Sequence, residues 1–243
     1  MGAVWRLLPV TTLTLRQFAG GRTARLVFLL SLIPALFAAI YVARPWDVAA
    51  EGFLVDLFRE MIVPTLLPIV VLLPATAAFG DELEDGTLPY LFMKPVTRAR
   101  LVLGKYAAIL LVAVPALIVG LAVTTFVASG SSAMPELWPT LRAMIGAAAV
   151  ETILLGAVFL LVSLFIPRAL LAGMIYIFAW ESLLGRYLPG VRAISSREAT
   201  LRVFDGLLAG DSELAMRSAV TMIVVAMVCL VLATWRLSRM QMD

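Results

Sequence analysis

Two groups of residues in this chain have types and spacing that could do chemistry. The first is the polar island Asp81–Lys105, DELEDGTLPYLFMKPVTRARLVLGK. It opens with four carboxylates in five residues, Asp81, Glu82, Glu84 and Asp85. Gly86-Thr87 and an apolar run from Leu88 to Met93 follow, and after Pro95 the island closes on Arg98, Arg100 and Lys105, with Lys94 just before the proline. The second group is a pair of isolated glutamates, Glu151 and Glu181, set in long apolar runs. The chemistry open to them is narrow. The chain has no histidine, which excludes an imidazole base and His-ligated metal or haem. Cys229 is the single cysteine, so no intrachain disulfide can form, and its apolar setting suits a small buried hydrophobe better than a reactive thiol. The two glutamates lack the spacing of a catalytic pair. No GxxxxGK[ST] phosphate loop occurs: Gly104-Lys105 is followed by Tyr106 and lacks the upstream glycines. The expectation is therefore a non-enzyme, with no catalytic residue, no metal and no cofactor of its own. Nucleic-acid binding has no support.

The elements that position these residues follow from composition. The 243 residues are 62% hydrophobic and 14% charged, more apolar surface than a soluble domain of this size can bury, so the solvent is lipid. Six segments approach the length of about 20 apolar residues that a spanning helix needs. They are Leu26–Ala43, Met61–Gly80, Tyr106–Ser129, Ala143–Pro167, Ala169–Gly185 and Ser218–Trp235. Unpaired backbone groups are not tolerated in hydrocarbon, and the runs are continuous rather than alternating, so these are helices and not barrel strands. The fold class is an all-α integral membrane protein, one transmembrane domain over residues 1–243. The island, lying between two spans, sits at a membrane surface.

Smaller features fill in this plan. Val4, Leu7, Leu8, Thr11, Leu15 and Phe18 repeat at helical spacing, which suggests an amphipathic interfacial helix before the first span; a basic tail is the alternative. Pro64, Pro68 and Pro74 predict a kink in the second span, either a moving joint or a bend that neighbours tolerate. Ile166-Pro167-Arg168 leaves only a tight turn between spans four and five. Between spans five and six, Ser195 and Glu198 have capping-box spacing, Leu201, Phe204, Leu207 and Leu208 make an apolar face, and Gly210 is a stop: a short helix on the external surface. The arginines of residues 186–217 alternate with acids and read as a solvated face. Trp46, Trp138, Trp180, Tyr187 and Trp235 sit near span ends as an interfacial belt.

Six spans put both termini on one side. That side holds 11 Lys and Arg against 8 on the other, and 11 against 3 when only short loops are counted. The positive-inside rule places both termini and the island in the cytoplasm. No cleavable signal peptide is evident, so the first span is retained.

Within the island, Glu84–Met93 can form a surface helix ended by Pro95, and Thr97 can cap the next span. Such a helix, tied to two spans, would pass a push to both; an ordinary charged loop is the competing reading. Glu151 is deep in its span. It either lines a path or acts as a proton-sensitive latch, or it makes a structural helix–helix hydrogen bond. Glu181, nearer the external end, is read as an anchor of the outer hairpin.

Glu82 and Glu84, Gly86-Thr87-Leu88, Leu91-Phe92, Pro95, Arg98 or Arg100, and Gly104-Lys105 together resemble the E-x-G-T-L…P-x-x-R…G-K signature of ATP-binding-cassette type-2 permeases, the membrane subunits of many bacterial exporters. The resemblance covers essentially the whole chain. It implies that residues 81–105, with Asp81, Glu82, Glu84, Gly86, Thr87, Leu88, Pro95, Arg98, Arg100 and Lys105, form the coupling region for a separate cytoplasmic ATPase subunit, present in two copies and carrying ATP and magnesium. It further implies a second copy of this permease or a related one, the cytoplasmic membrane as location, and leaves room for an accessory periplasmic or extracellular protein. Glu151 and Glu181 would then be intramembrane polar points on or near the transport path. Two other classes stay open: a stand-alone secondary transporter or channel with Glu151 as ion or proton site, and a non-transporting assembly factor that keeps the permease fold. The substrate is not readable.

Overall fold

The computed structural model describes residues 11–15, 18, 22–43, 48–84, 97–130, 134–166, 169–175 and 195–239. The elements among them are all helical. The first span is two helices, α1 (Thr23–Ser31) and α2 (Ile33–Ala43), meeting at Leu32. The break has a local cause. Pro34 offers no N–H to the carbonyl four residues back, and its ring crowds that turn. The chain tightens there instead: Leu32 N–H donates to Leu29 O (3.3 Å) and Ala35 N–H to Leu32 O (3.0 Å), both three residues back. The Ser31 hydroxyl also bonds back to Phe28 O at 2.8 Å.

The second span is a longer rod than the apolar run alone predicts. It comprises α3 (Ala50–Leu57), a π-helical segment (Phe58–Leu66) and α4 (Leu67–Glu84). The prolines here give a change of register. In an α register the Glu60 carbonyl would face Pro64, which has no N–H. Bonds reaching five residues back avoid that conflict, and Leu67 N–H does donate to Ile62 O.

The remaining helices are α5 (Arg98–Ser129), α6 (Met134–Phe165), α7 (Ala169–Ile175), α8 (Ser196–Ala209) and α9 (Ser212–Arg239). Both α5 and α6 begin well before the apolar stretches that announced them, so each span is extended by polar turns at its ends. Among the described residues five helices are long and apolar enough to cross a membrane. The fifth expected span, Ala169–Gly185, is described only over α7. Of the expected N-terminal amphipathic stripe, residues 11–15 are helical, Thr11 and Phe18 are buried and Leu15 half-buried; Val4, Leu7 and Leu8 lie outside the described residues.

Helix α6 is the hub. It packs on α4, α5, α8 and α9, while α1 and α2 lean on α5. The crossing of the first span on α5 is set by Gly120. A Cβ there would fall on the Ser31 carbonyl oxygen, so only glycine lets the two backbones approach this closely. The Gly120 Cα–H is thereby brought against that oxygen, a weak hydrogen bond of the kind common between close helices. Burial follows the same order. The most apolar window of the second span is 78% buried, but those of the first span and α9 are only 22% buried, so these two present most of their surface outward.

Side-chain contacts assign helix ends to two faces. At one face, Lys105 at the start of α5 meets Ala78 near the end of α4. Arg236 near the end of α9 stacks on Phe165, at the end of α6. The starts of α5 and ends of α9 share a groove wall. We term this the island end. At the other, Tyr41 of α2 stacks on Phe53 of α3 (4.3 Å), Thr140 of α6 donates to Glu51 (3.3 Å), and Arg59 pairs with Asp205 of α8. We term this the clasp end.

Candidate functional site

The island begins as the sequence predicts, on the exit of a span. Asp81, Glu82 and Glu84 occupy the last turn of α4. Gly86, Thr87, Leu88 and Pro95 lie outside the described residues, as does the expected surface helix over Glu84–Met93 beyond its first residue. Thr97 is the N-cap of α5, as expected, but its side chain makes no capping hydrogen bond; Leu101 N–H reaches the Thr97 carbonyl at 3.2 Å instead. Arg98 and Arg100 form the first turn of α5 and are half-buried.

Lys105 is not the surface residue that a lysine closing a charged island suggests. It is 2% exposed. Its ammonium donates to the Ala78 carbonyl and stands 4.4 Å over the Phe79 ring. Two turns of α5 are thus pinned to the end of α4 by one cation that meets a carbonyl and an aromatic face, interactions that are stronger when shielded from water. The island therefore connects two helices that are already joined to each other.

Glu151 lies halfway along α6 and is wholly buried. Its surroundings on the hub are polar at the backbone: the Tyr106 hydroxyl of α5 donates to Ile153 O at 2.8 Å, and Thr152 bonds back to Ala148 O at 2.7 Å. Glu181 lies outside the described residues.

The sequence reading missed a cluster at the clasp end. Arg59, at the start of the π segment, pairs with Asp205 of α8 at 2.5 Å. Arg197 of α8 reaches back to Arg59 O (3.2 Å) and lies 3.6 Å from Glu60. Beneath these charges Phe58 packs on Phe204 with centroids 4.7 Å apart, and the Arg59 guanidinium sits 5.9 Å over the same Phe204 ring. The arginines of this stretch are therefore not a uniformly solvated face, which corrects the expectation for Arg197. The signal was present in Phe58-Arg59-Glu60, charges opening an apolar run, but their partners lie more than a hundred residues away. The predicted limits of α8 hold, with Ser195 as N-cap and Gly210 left-handed (φ 74°) as stop, but Ser195 makes no side-chain cap bond, so the capping box is not formed. A cap of that kind occurs one helix later: the Asp211 carboxylate accepts from Glu213 and Leu214 N–H, both at 3.1 Å.

Among the described residues no cluster of His, Cys, Asp or Glu could hold a metal ion. Comparison with known proteins gives one family. A family model described as "ABC-2 family transporter protein" matches residues 21–242. No curated protein matches the chain.

Proposed function

The chain belongs to the ABC-2 transporter family, a membrane permease subunit that works with an ABC ATPase subunit, and on that premise we propose that it drives export. ATP and magnesium are held by two copies of the separate ATPase, and this chain contributes no catalytic or cofactor-binding residue. Residues 81–105 receive the movement of the ATPase on the cytoplasmic side. One observation carries the reading: Lys105 ties α5 to α4 across the island, so force applied between them moves both spans as a unit. Two permease subunits pair in the cytoplasmic membrane, and the substrate passes between them. Six crossings with both termini cytoplasmic fit this role. Support for the sixth comes from position: Phe165 stands beside Arg236 at the island end, Arg197 beside Glu60 at the clasp end, and Gly173 packs against Leu72 between.

The test is co-purification from native membranes in mild detergent, followed by ATP-dependent flux in vesicles. A phosphate-loop ATPase accompanies the chain, and Glu84→Lys or Gly86→Trp releases it or uncouples flux while insertion persists. Normal coupling in both variants would remove the island from this role. The burial of Glu151 in the hub helix favours a second reading, an ion or proton site in a transporter that works alone. Flux by the purified chain without an ATPase, abolished by Glu151→Gln, would establish it.

A further inference from the structure

At the island end a groove of about 470 Å³ opens between the start of α5 and the last turns of α9. Ala99, Leu103, Leu230, Val231, Thr234 and Trp235 line it. The wall is apolar in effect. The hydroxyls of Thr234 and Ser238 donate to Leu230 O (2.9 Å) and Trp235 O (2.7 Å), so they are turned to their own helix. The rim is basic. The Arg239 guanidinium lies 4.4 Å over the Trp235 ring, which forms part of the wall. Arg236 stacks 5.1 Å over Phe165 on the neighbouring hub helix. Arg98 and Arg100 flank Ala99 in sequence.

We propose that this groove binds an anionic phospholipid. One acyl chain lies in the cleft along α9, and the phosphate meets Arg239, with Arg236 and the first turn of α5 adding to the positive field. The order of chemistry fits one molecule: an apolar body continuous with a cationic rim, at the end of two spans where headgroups begin. Stacking on Trp235 holds the guanidinium at that depth by its face and leaves its N–H edge for phosphate oxygens. A second copy of the chain is a poor occupant. A two-fold contact on this groove would bring Arg239 and Arg236 of both copies together, and like charges across an interface oppose association.

The inference rests on membrane embedding alone, so it stands or falls separately from the export reading. The experiment uses the full chain with Trp235 as sole tryptophan, the other four changed to Phe, in nanodiscs of phosphatidylcholine. Acyl-brominated phosphatidylglycerol or acyl-brominated phosphatidylcholine is then added, and quenching of Trp235 is followed. Phosphatidylglycerol should reach half-quenching at about one fifth the mole fraction, the ratio given by about 1 kcal/mol for one basic residue at the surface. Arg239→Gln should erase most of that preference, and Ala99→Phe should weaken quenching by phosphatidylglycerol. In parallel, native mass spectrometry of the chain with all its tryptophans should show a retained phosphatidylglycerol that is lost in Arg239→Gln. Equal quenching by the two lipids, or a preference that survives Arg239→Gln, would reduce the groove to ordinary lipid contact. Protection of Trp235 from both lipids in particles that contain two chains would assign it to a second copy.

Discussion

At the clasp end, four charged side chains from two elements far apart in sequence meet near the surface; at the island end, one buried lysine joins two helices that are neighbours in sequence. The chemistry differs accordingly. Arg59 and Asp205 are 40% and 43% exposed, and such pairs contribute about 0–1 kcal/mol and weaken with salt. Lys105 is 2% exposed, so its bonds to Ala78 and Phe79 are scarcely screened. Screened pairs add little to an end that the buried contact of Phe58 with Phe204 also holds, whereas at the island end a buried cation ties its two helices directly. On the proposed function the buried cation stands where force enters. The π segment fits the same division, since it lies in the second span at the clasp end, and such segments recur at functional positions.

The largest expected effect breaks the island end. Lys105→Glu would leave a buried negative charge facing the Ala78 carbonyl, and unmatched buried charges cost about 3–5 kcal/mol. The expected outcome is loss of folded protein in detergent, read by size-exclusion after heating. Lys105→Met puts an apolar side chain of similar length in place of the ammonium and should cost less than Lys105→Glu, because it buries no charge. If α4 and α5 move together through Lys105, Lys105→Met inserts normally yet loses ATP-dependent flux. Unchanged flux in Lys105→Met would mean that packing alone joins the two helices.

The next effect sharpens the contrast at the clasp. A double-mutant cycle of Arg59→Gln and Asp205→Asn should give a coupling of about 0.5–1 kcal/mol at low salt, shrinking as ionic strength rises through about 0.1 M, where the screening length is about 10 Å. Urea or heat unfolding at two salt concentrations reads it. The effect of Lys105→Glu should not change over the same range. A salt-independent clasp would mean that the aromatic contact of Phe58 with Phe204, and not the charges, holds α8 in place.

How much of this was legible in the sequence divides along the same line. Helix identity, the lipid environment and the island were readable because lipid forces continuous apolar runs and leaves polar residues only where they end or are needed. Gly210 as the stop of α8 was readable because a left-handed residue favours glycine. The burial of Lys105 was not, since a lysine at the end of a charged island looks solvated until Ala78 and Phe79 are placed against it. The pairing of Arg59 with Asp205 was not, because nothing local in either segment names a partner on another helix. The prolines of the second span predicted a disturbance but not its form: a kink and a π register answer the same missing N–H. Several helices run past the expected spans, because polar turns that extend a helix carry no apolar signal.

The two smallest effects concern the turn that follows α8 and decide how firmly the clasp is held to α9. Asp211 caps α9 through two amides, so Asp211→Ala should cost about 1 kcal/mol. Gly206 adds a steric element to the same corner, since a Cβ there would crowd Ala215 N at 2.8 Å. Beyond them, Arg217 and Glu213 form an i,i+4 pair at 2.6 Å, but both side chains are at least 75% exposed. Glu213→Gln should therefore change stability by no more than about 0.3–0.5 kcal/mol and only at low salt. The pair makes a control for the cycle at Arg59 and Asp205. Both are ion pairs at the same end of the bundle with short contacts, and they differ in exposure and in whether they join separate elements. If both gave the same small, salt-sensitive value, contact distance alone would set the strength of the clasp. A larger coupling at Arg59–Asp205 would show that the Phe204 ring and the Arg197 contact beneath it raise the pair above an ordinary surface bridge.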